Sequence, residues 1–315
     1  YRFLVAAKRR LPRLQVVAIA GNHDSAARLE APSPILDALQ VHVVGSPRRL
    51  ADGRLDTDRL VVPLRDAAGQ VSAWCAAVPF LRPSDLPATA TDGDPLIAGV
   101  GALYAQVIAD LEARRQPGQS RLAMGHCYMV GTRLSDLSER RILGGNQHAL
   151  PVGLFPEGLG YVALGHLHLA QTVGGQDRVR YAGSPIPLSL DERNYPHQVV
   201  QVDLDGDAPA VIESLPIPRL VEIHRYPEQG SESLESVESA LAAFPFDPDL
   251  PPERHPYLEV VVRLDRPDPG LRSRIDAVLE GRPARLLKLS AEYPGRAMGL
   301  AATSRLGCQA EVGAA

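Results

Sequence analysis

Three stretches of this chain end in the same way. Val17-Ala18-Ile19-Ala20 runs into Gly21-Asn22-His23-Asp24, Leu122-Ala123-Met124 into Gly125-His126, and Tyr161-Val162-Ala163-Leu164 into Gly165-His166-Leu167-His168. Each is a short apolar run that reads as a strand, followed by glycine and then by imidazole or amide side chains. The pattern restricts the fold severely. Rigid strands that end at one edge of an α/β sheet can bring polar side chains from distant parts of the chain together, while the loop backbone there stays open to a ligand. Glycine ahead of the polar residue suits such an edge, because a residue without Cβ permits tight turns and close approach.

The remaining pattern agrees with a layered, strand-rich α/β domain. Strands are expected near 41–44, 60–64, 72–78, 121–124, 161–164, 179–182 and 198–204, and the run over 14–20 reads as a strand buried on both faces. Leu103, Val107, Ile108 and Leu111 mark the apolar stripe of a helix around 98–115. The opening residues 1–7 read as the end of an amphipathic helix already under way, with upstream residues missing. Pro-Ile-Pro at 216–218 interrupts the pattern. Strand 219–226, helix 234–243, strand 257–264, helix 270–279 and strand 284–289 follow, so a domain over 1–217 is expected to give way to a smaller α+β domain over 218–290. The Gly- and Ala-rich residues 291–315 read as a disordered tail.

Composition narrows the function classes. With 45% hydrophobic and 22% charged residues the chain is globular, and its net charge of -4 with a pI near 6.2 announces no general affinity for nucleic acid. Residues 219–290 hold ten Lys or Arg against thirteen Asp or Glu, a net of -3, so any DNA contact must be local. Cys75, Cys127 and Cys308 are widely spaced, which argues against a disulfide framework or a structural zinc site and fits a reducing cytoplasm. No stretch approaches the roughly 20 apolar residues of a membrane span, and no secretory signal is visible. No membrane association is expected.

The chemistry that calls for clustered imidazoles and an amide oxygen on such loops is phosphoester hydrolysis with two divalent ions about 3.5–4 Å apart. Carboxylates complete such a cluster, and mixed nitrogen and oxygen ligation suits manganese, iron or zinc better than calcium. His42, His148, His197, His224 and His255 lack the Gly-His context and read as structural or solvent-facing; Trp74 and Tyr104 read as core.

Gly-Asn-His-Asp, a later Gly-His and a final Gly-His-x-His resemble the second half of the calcineurin-like metallophosphoesterase signature. Pro79-Phe80-Leu81-Arg82-Pro83 and the run from Tyr181-Ala182-Gly183-Ser184-Pro185 to Asp191-Glu192 are similar to the bacterial SbcD nuclease subunits in particular. The resemblance covers residues 1 to about 290 and implies a metallophosphoesterase β-sandwich flanked by helices, with a capping domain. It implies that Asn22, His126 and His166 bind one metal and His168 the other, that His23 is the catalytic histidine, and that Asp24 orients His23, although Asp24 reads equally as a loop cap. Two divalent ions, with manganese favoured, are the implied cofactors. DNA and an SbcC-type ATPase are the implied partners, in a heterotetramer in which the chain also dimerises.

The family's Asp-x-His and Gly-Asp-x-x-Asp motifs are absent from these 315 residues, leaving only His168 for the second metal. The chain as given is therefore expected to be an impaired nuclease, and residues 305–315 do not resemble the family's ATPase-docking segment. Two other readings stay open. A phosphatase or cyclic-nucleotide phosphodiesterase explains the three loops but not residues 181–192 or the module after Pro218. An inactive scaffold of a DNA-processing complex explains the missing carboxylates but not the retained ligands.

Overall fold

The computed structural model describes residues 1–89, 93–133 and 149–294 and divides the chain into two compact units, Tyr1–Arg219 and Leu220–Ala315. In the first unit the elements run α1 (Arg2–Arg10), β1 (Val16–Ile19), α2 (Ala26–Glu30), α3 (Ser33–Ala38), β2 (Val41–Val44), β3 (Val61–Arg65), β4 (Val71–Ala77), α4 (Pro95–Arg114), β5 (Ser120–His126), β6 (Tyr161–Gly165), β7 (Gln171–Val173), β8 (Gln176–Tyr181), β9 (Gln198–Asp203) and β10 (Val211–Pro216).

Six strands form the main sheet in the order β3-β4-β5-β6-β8-β7. β4, β5, β6 and β8 are parallel neighbours and the edge strands β3 and β7 are antiparallel, so the carboxyl ends of β5 and β6 meet side by side. β1 and β2 form a separate parallel pair, and β9 and β10 an antiparallel one. β1 lies between two apolar clusters. Val17 and Ile19 pack on the main core, which holds Cys75, Val78, Leu103, Tyr104 and Leu111, while Val16 and Ala18 pack with Leu4, Leu29, Leu36, Val41 and Val43. Both faces of β1 are thus covered, as a two-faced apolar run requires, although all four residues are half-buried rather than buried. The result is the expected layered α/β architecture.

Helix α4 corrects one expectation. Its 20 residues are long and apolar enough to meet the length and composition criteria of a membrane span. The reason is packing: Leu103, Tyr104, Val107, Ile108 and Leu111 recur at helical spacing and are buried in the main core. The outward positions carry charge, with an Asp110–Arg114 ion pair one turn apart at 2.7 Å. Asp94 starts the helix, its carboxylate accepting the Leu96 amide at 2.8 Å, so the helix begins earlier than residue 98.

The second unit runs β11 (Ile223–Tyr226), β12 (Glu232–Ser233), α5 (Leu234–Ala243), β13 (Tyr257–Arg263), α6 (Leu271–Leu279) and β14 (Arg285–Glu292). All strand pairings are parallel and converge on β13. Leu258, Val260 and Val262 alternate along β13 to meet Val237, Leu241 and Ile275 of the two helices. On the other face, Glu259 bonds Lys288 at 2.7 Å and lies 3.6 Å from Arg225. The last strand runs to Glu292, beyond the expected end at 289, because Ala291 and Glu292 continue to pair with β13. Most of the expected tail, residues 295–315, lies outside the described residues.

Candidate metal centre

β5 ends on His126, whose backbone pairs in register with Gly165 at the end of β6, so His126 and His166 arise from adjacent strands at one sheet edge. The loop after β1 joins this edge through its backbone: the Ala20 amide bonds the Val44 carbonyl, and the Phe80 amide bonds the Ala20 carbonyl, both at 2.9 Å. The loop after β5 is buttressed by Tyr181 of β8, whose hydroxyl donates to the Cys127 carbonyl at 2.6 Å.

All three glycines that precede ligand candidates make room for side chains. A Cβ on Gly21 would lie 2.7 Å from Cε1 of His126, and one on Gly165 would lie 3.0 Å from Nδ1 of the same ring. A Cβ on Gly125 would meet the Tyr104 hydroxyl at 2.4 Å. The glycines therefore serve close packing around His126 rather than an unusual backbone angle, since none of the three has a positive φ.

Asn22, His126 and His166 come together. Asn22 Oδ1 is 3.0 Å from Nε2 of His126, and the His126 and His166 rings meet edge to face with centroids 5.3 Å apart. Burial, reinforced by the neighbouring His166, His23 and His168 and opposed by Asp24, holds His126 down at about 4. Burial, with His168 and His23, likewise holds His166 at about 4. Both imidazoles are therefore neutral near pH 7, with a lone pair to offer a cation. His166 Nε2 is buried with no hydrogen-bond partner among the described residues, and His166 adopts φ 104, a left-handed conformation rare outside glycine. Strain and an unpartnered buried nitrogen on one residue are what a ligand position carries when its partner is a metal. Among the described residues no group of three or more His, Cys, Asp or Glu side chains could hold an ion by itself, so an ion here would need the amide oxygen of Asn22 beside the two imidazoles.

His168 lies in the same loop as His166 and is held differently. Its Nδ1 is 2.7 Å from Oε1 of Glu192, a fully buried carboxylate that the sequence motifs do not single out. The local signal for Glu192 is weak, since it lies 24 residues from its partner in a short 3-10 turn, Leu190–Asn194. His23 is exposed. Asp24 accepts the Gly21 amide at 2.7 Å and so closes the turn that carries Asn22 and His23, which is the loop-cap role. An apolar cavity of about 50 Å³, lined by Phe80, Leu86, Ile97 and Tyr128 among others, borders His126 and His166, with Phe80 edge-on to His126.

The other described histidines have partners of their own. His42 bonds the Arg59 carbonyl, His255 the Leu250 carbonyl and buried His197 the Ser184 carbonyl, while His224 packs on Phe244. His148 lies outside the described residues. Tyr104 is buried and Trp74 packs at the core margin, its indole N–H bonded to Gln119 at 2.8 Å.

Comparison with known proteins gives a consistent result. Residues 219–309 match the family described as Type 5 capsule protein repressor C-terminal domain, SbcD_C. The SbcD subunit of the SbcCD nuclease from Rhodobacter capsulatus is 42% identical over 309 residues, covering 96% of this chain and 74% of that protein. Its counterpart of the same name from Escherichia coli K12 is 30% identical over 298 residues, covering 92% of this chain and 70% of its own. A shorter likeness, 42% over 65 residues, links 20% of the chain to the DNA double-strand break repair protein Mre11 of Aeropyrum pernix. With relatives aligned across both units and ligand-type side chains gathered where the three glycine loops meet, this chain belongs to the SbcD family of nuclease subunits.

Proposed function

We propose that this chain is the metal-dependent nuclease subunit of a DNA repair and recombination complex, hydrolysing phosphodiesters in DNA alongside an SbcC-type ATPase. The observation that carries the reading is the meeting of Asn22, His126 and the strained, unpartnered His166 at one sheet edge in an SbcD-family chain. Those three residues would hold one divalent ion and His168 would contribute to a second, with manganese favoured. When bound, such ions activate water and neutralise charge on the phosphate. The residues of the chain do the rest. Asp24 fixes the turn that presents His23 to solvent, where its imidazole can meet a bound phosphodiester and protonate the leaving oxygen. The side chains of Phe80 and Tyr128 border the pair His126 and His166 on one side.

Single-strand endonuclease action, ATP-dependent exonuclease action on duplex ends, a cytoplasmic location, a role in replication, a heterotetramer with the ATPase and pairing of two copies of this chain belong to the same proposal, and rest on family likeness. So does impaired turnover by residues 1–315 alone, in which the family's Asp-x-His and Gly-Asp-x-x-Asp motifs do not occur.

The test is manganese-dependent cleavage of a single-stranded DNA circle by residues 1–315 and by the same chain extended at its N-terminus with a segment that carries the family's Asp-x-His and Gly-Asp-x-x-Asp motifs, each beside His23→Ala. Cleavage by the extended chain, reduced about 10²–10⁴-fold in His23→Ala, is expected. Turnover of phosphomonoesters without DNA cleavage would replace the nuclease by a phosphatase. DNA or ATPase binding with no hydrolysis by either chain would make it a scaffold.

A further inference from the structure

We propose that Glu192 is the positioning residue for His168, fixing the imidazole as its Nδ1–H tautomer so that the unprotonated Nε2 is the nitrogen presented to a divalent cation. The proposal deepens the metal reading above and rests on it.

A carboxylate buried without hydrogen bonds is costly enough that folds rarely keep one unpaired. Glu192 is fully buried and its oxygens are divided between two tasks. Oε1 faces Nδ1 of His168 at 2.7 Å, while Oε2 accepts the Leu188 amide at 2.9 Å and lies 3.4 Å from the Ser184 hydroxyl. A carboxylate oxygen this close to a ring nitrogen accepts its N–H, so the short contact places an imidazole proton on Nδ1. Nε2 then carries the ring's lone pair. A carboxylate behind a ligating imidazole sets its orientation and raises its basicity.

The surrounding segment grips the same residue by its backbone. The Ser184 amide donates to the His168 carbonyl at 2.9 Å. Gly183 holds φ +81, and a Cβ there would lie 2.7 Å from that carbonyl oxygen, so the chain can pass this closely only as glycine. His197 secures the segment from the far side, its Nδ1 2.9 Å from the Ser184 carbonyl. Residues 183–192 thus hold His168 at two points, its carbonyl and its Nδ1. A segment needed only to close a loop has no reason to commit its one fully buried carboxylate to the imidazole of a neighbouring loop.

Two readouts test this, on the wild type, Glu192→Ala and the nearly isosteric Glu192→Gln. Long-range nitrogen–proton NMR of the metal-free protein reports the His168 tautomer, and Mn2+ titration followed by electron paramagnetic resonance reports affinity and stoichiometry. Expected are a wild-type Nδ1–H tautomer that is lost or mixed in both variants, and Mn2+ affinity reduced roughly 10–100-fold in Glu192→Ala. Glu192→Gln should fall between, because its single carbonyl oxygen cannot serve both His168 and the Leu188 amide. Melting curves confirm that the variants fold, and Glu192→Gln carries the test if the alanine variant does not. An unchanged tautomer, or wild-type Mn2+ affinity in a folded variant, overturns the proposal. A wild type that shows the Nδ1–H tautomer yet binds no Mn2+ at any site overturns the metal reading instead, and the cation half of this proposal with it.

Discussion

Replacing Gly21 by alanine strikes the centre of the cluster of Asn22, His126 and His166 through its packing alone. The new methyl carbon would sit 2.7 Å from Cε1 and 3.0 Å from Nε2 of His126, whereas carbon atoms rest at about 3.5–4.0 Å. The ring must therefore retreat by about 0.8 Å, the difference between 3.5 and 2.7 Å. Little room exists on the β6 side, because the ring already lies against Gly165. Moving it stretches the 3.0 Å contact between His126 Nε2 and Asn22 Oδ1 towards the limit of a hydrogen bond. A misplacement near 1 Å in a catalytic site costs about 10²-fold in rate, and that is the loss expected in manganese-dependent hydrolysis of a simple phosphodiester by the extended chain. Overpacking costs typically about 1–3 kcal/mol, so melting should fall by roughly 2–12 °C and leave the protein folded at 25 °C. Gly101→Ala is the control, since a Cβ there meets nothing within 4 Å. Wild-type turnover and Mn2+ affinity in Gly21→Ala would refute the packing argument, and with it the reason given for the glycine.

Burial pushes the Cys75 thiol up to about 12 and leaves it fully inside the core, so iodoacetamide at pH 8 should spare Cys75 in the native protein and alkylate it after unfolding; mass spectrometry showing rapid native labelling would remove β4 from the core. Glu30 is held below its ordinary 4.5: burial alone would raise it, but the Gly45 amide and Arg48 outweigh burial. A depressed carboxylate adds stability that is present above its unfolded value and is lost as pH falls through the lowered one. The difference in melting temperature between wild type and Glu30→Gln should therefore be full at pH 6 and shrink steadily below pH 4.5; a difference independent of pH would show that Glu30 acts by shape alone.

Elements with a strong local period were legible in the sequence. The helix over 234–243 has the bounds expected, because Ser233 caps it and Leu234, Val237 and Leu241 face one core. β7 and β10 were not anticipated. β7 is three residues at a sheet edge, betrayed only by the Gly174-Gly175 turn that joins it to β8, a hairpin signal that was available. β10, Val-Ile-Glu-Ser-Leu-Pro, is mostly exposed and exists because β9 pairs with it, so its sequence carries little burial pattern. The site shows the same division. Asn22, His126 and His166 announced themselves because each follows a strand and a glycine. Glu192 stood at the end of the family-like run 181–192 with no role attached, since what makes it matter is a fold that returns it to His168. Asp24 marks the limit from the other side: its position beside His23 left orientation and capping open, and the bond to the Gly21 amide shows that it caps the turn.

The pairing of His126 with Gly165 across β5 and β6 fixes the gauge of the site. Neighbouring strands lie about 4.8 Å apart by backbone hydrogen bonding alone, which sets the separation of the two loops that carry His126 and His166. The spacing between these two loops is thus inherited from the sheet and does not depend on which side chains the strands carry. Apolar residues along β5 and β6 can be exchanged for others of similar volume without altering that gauge, and heating should leave it intact until the sheet itself unzips.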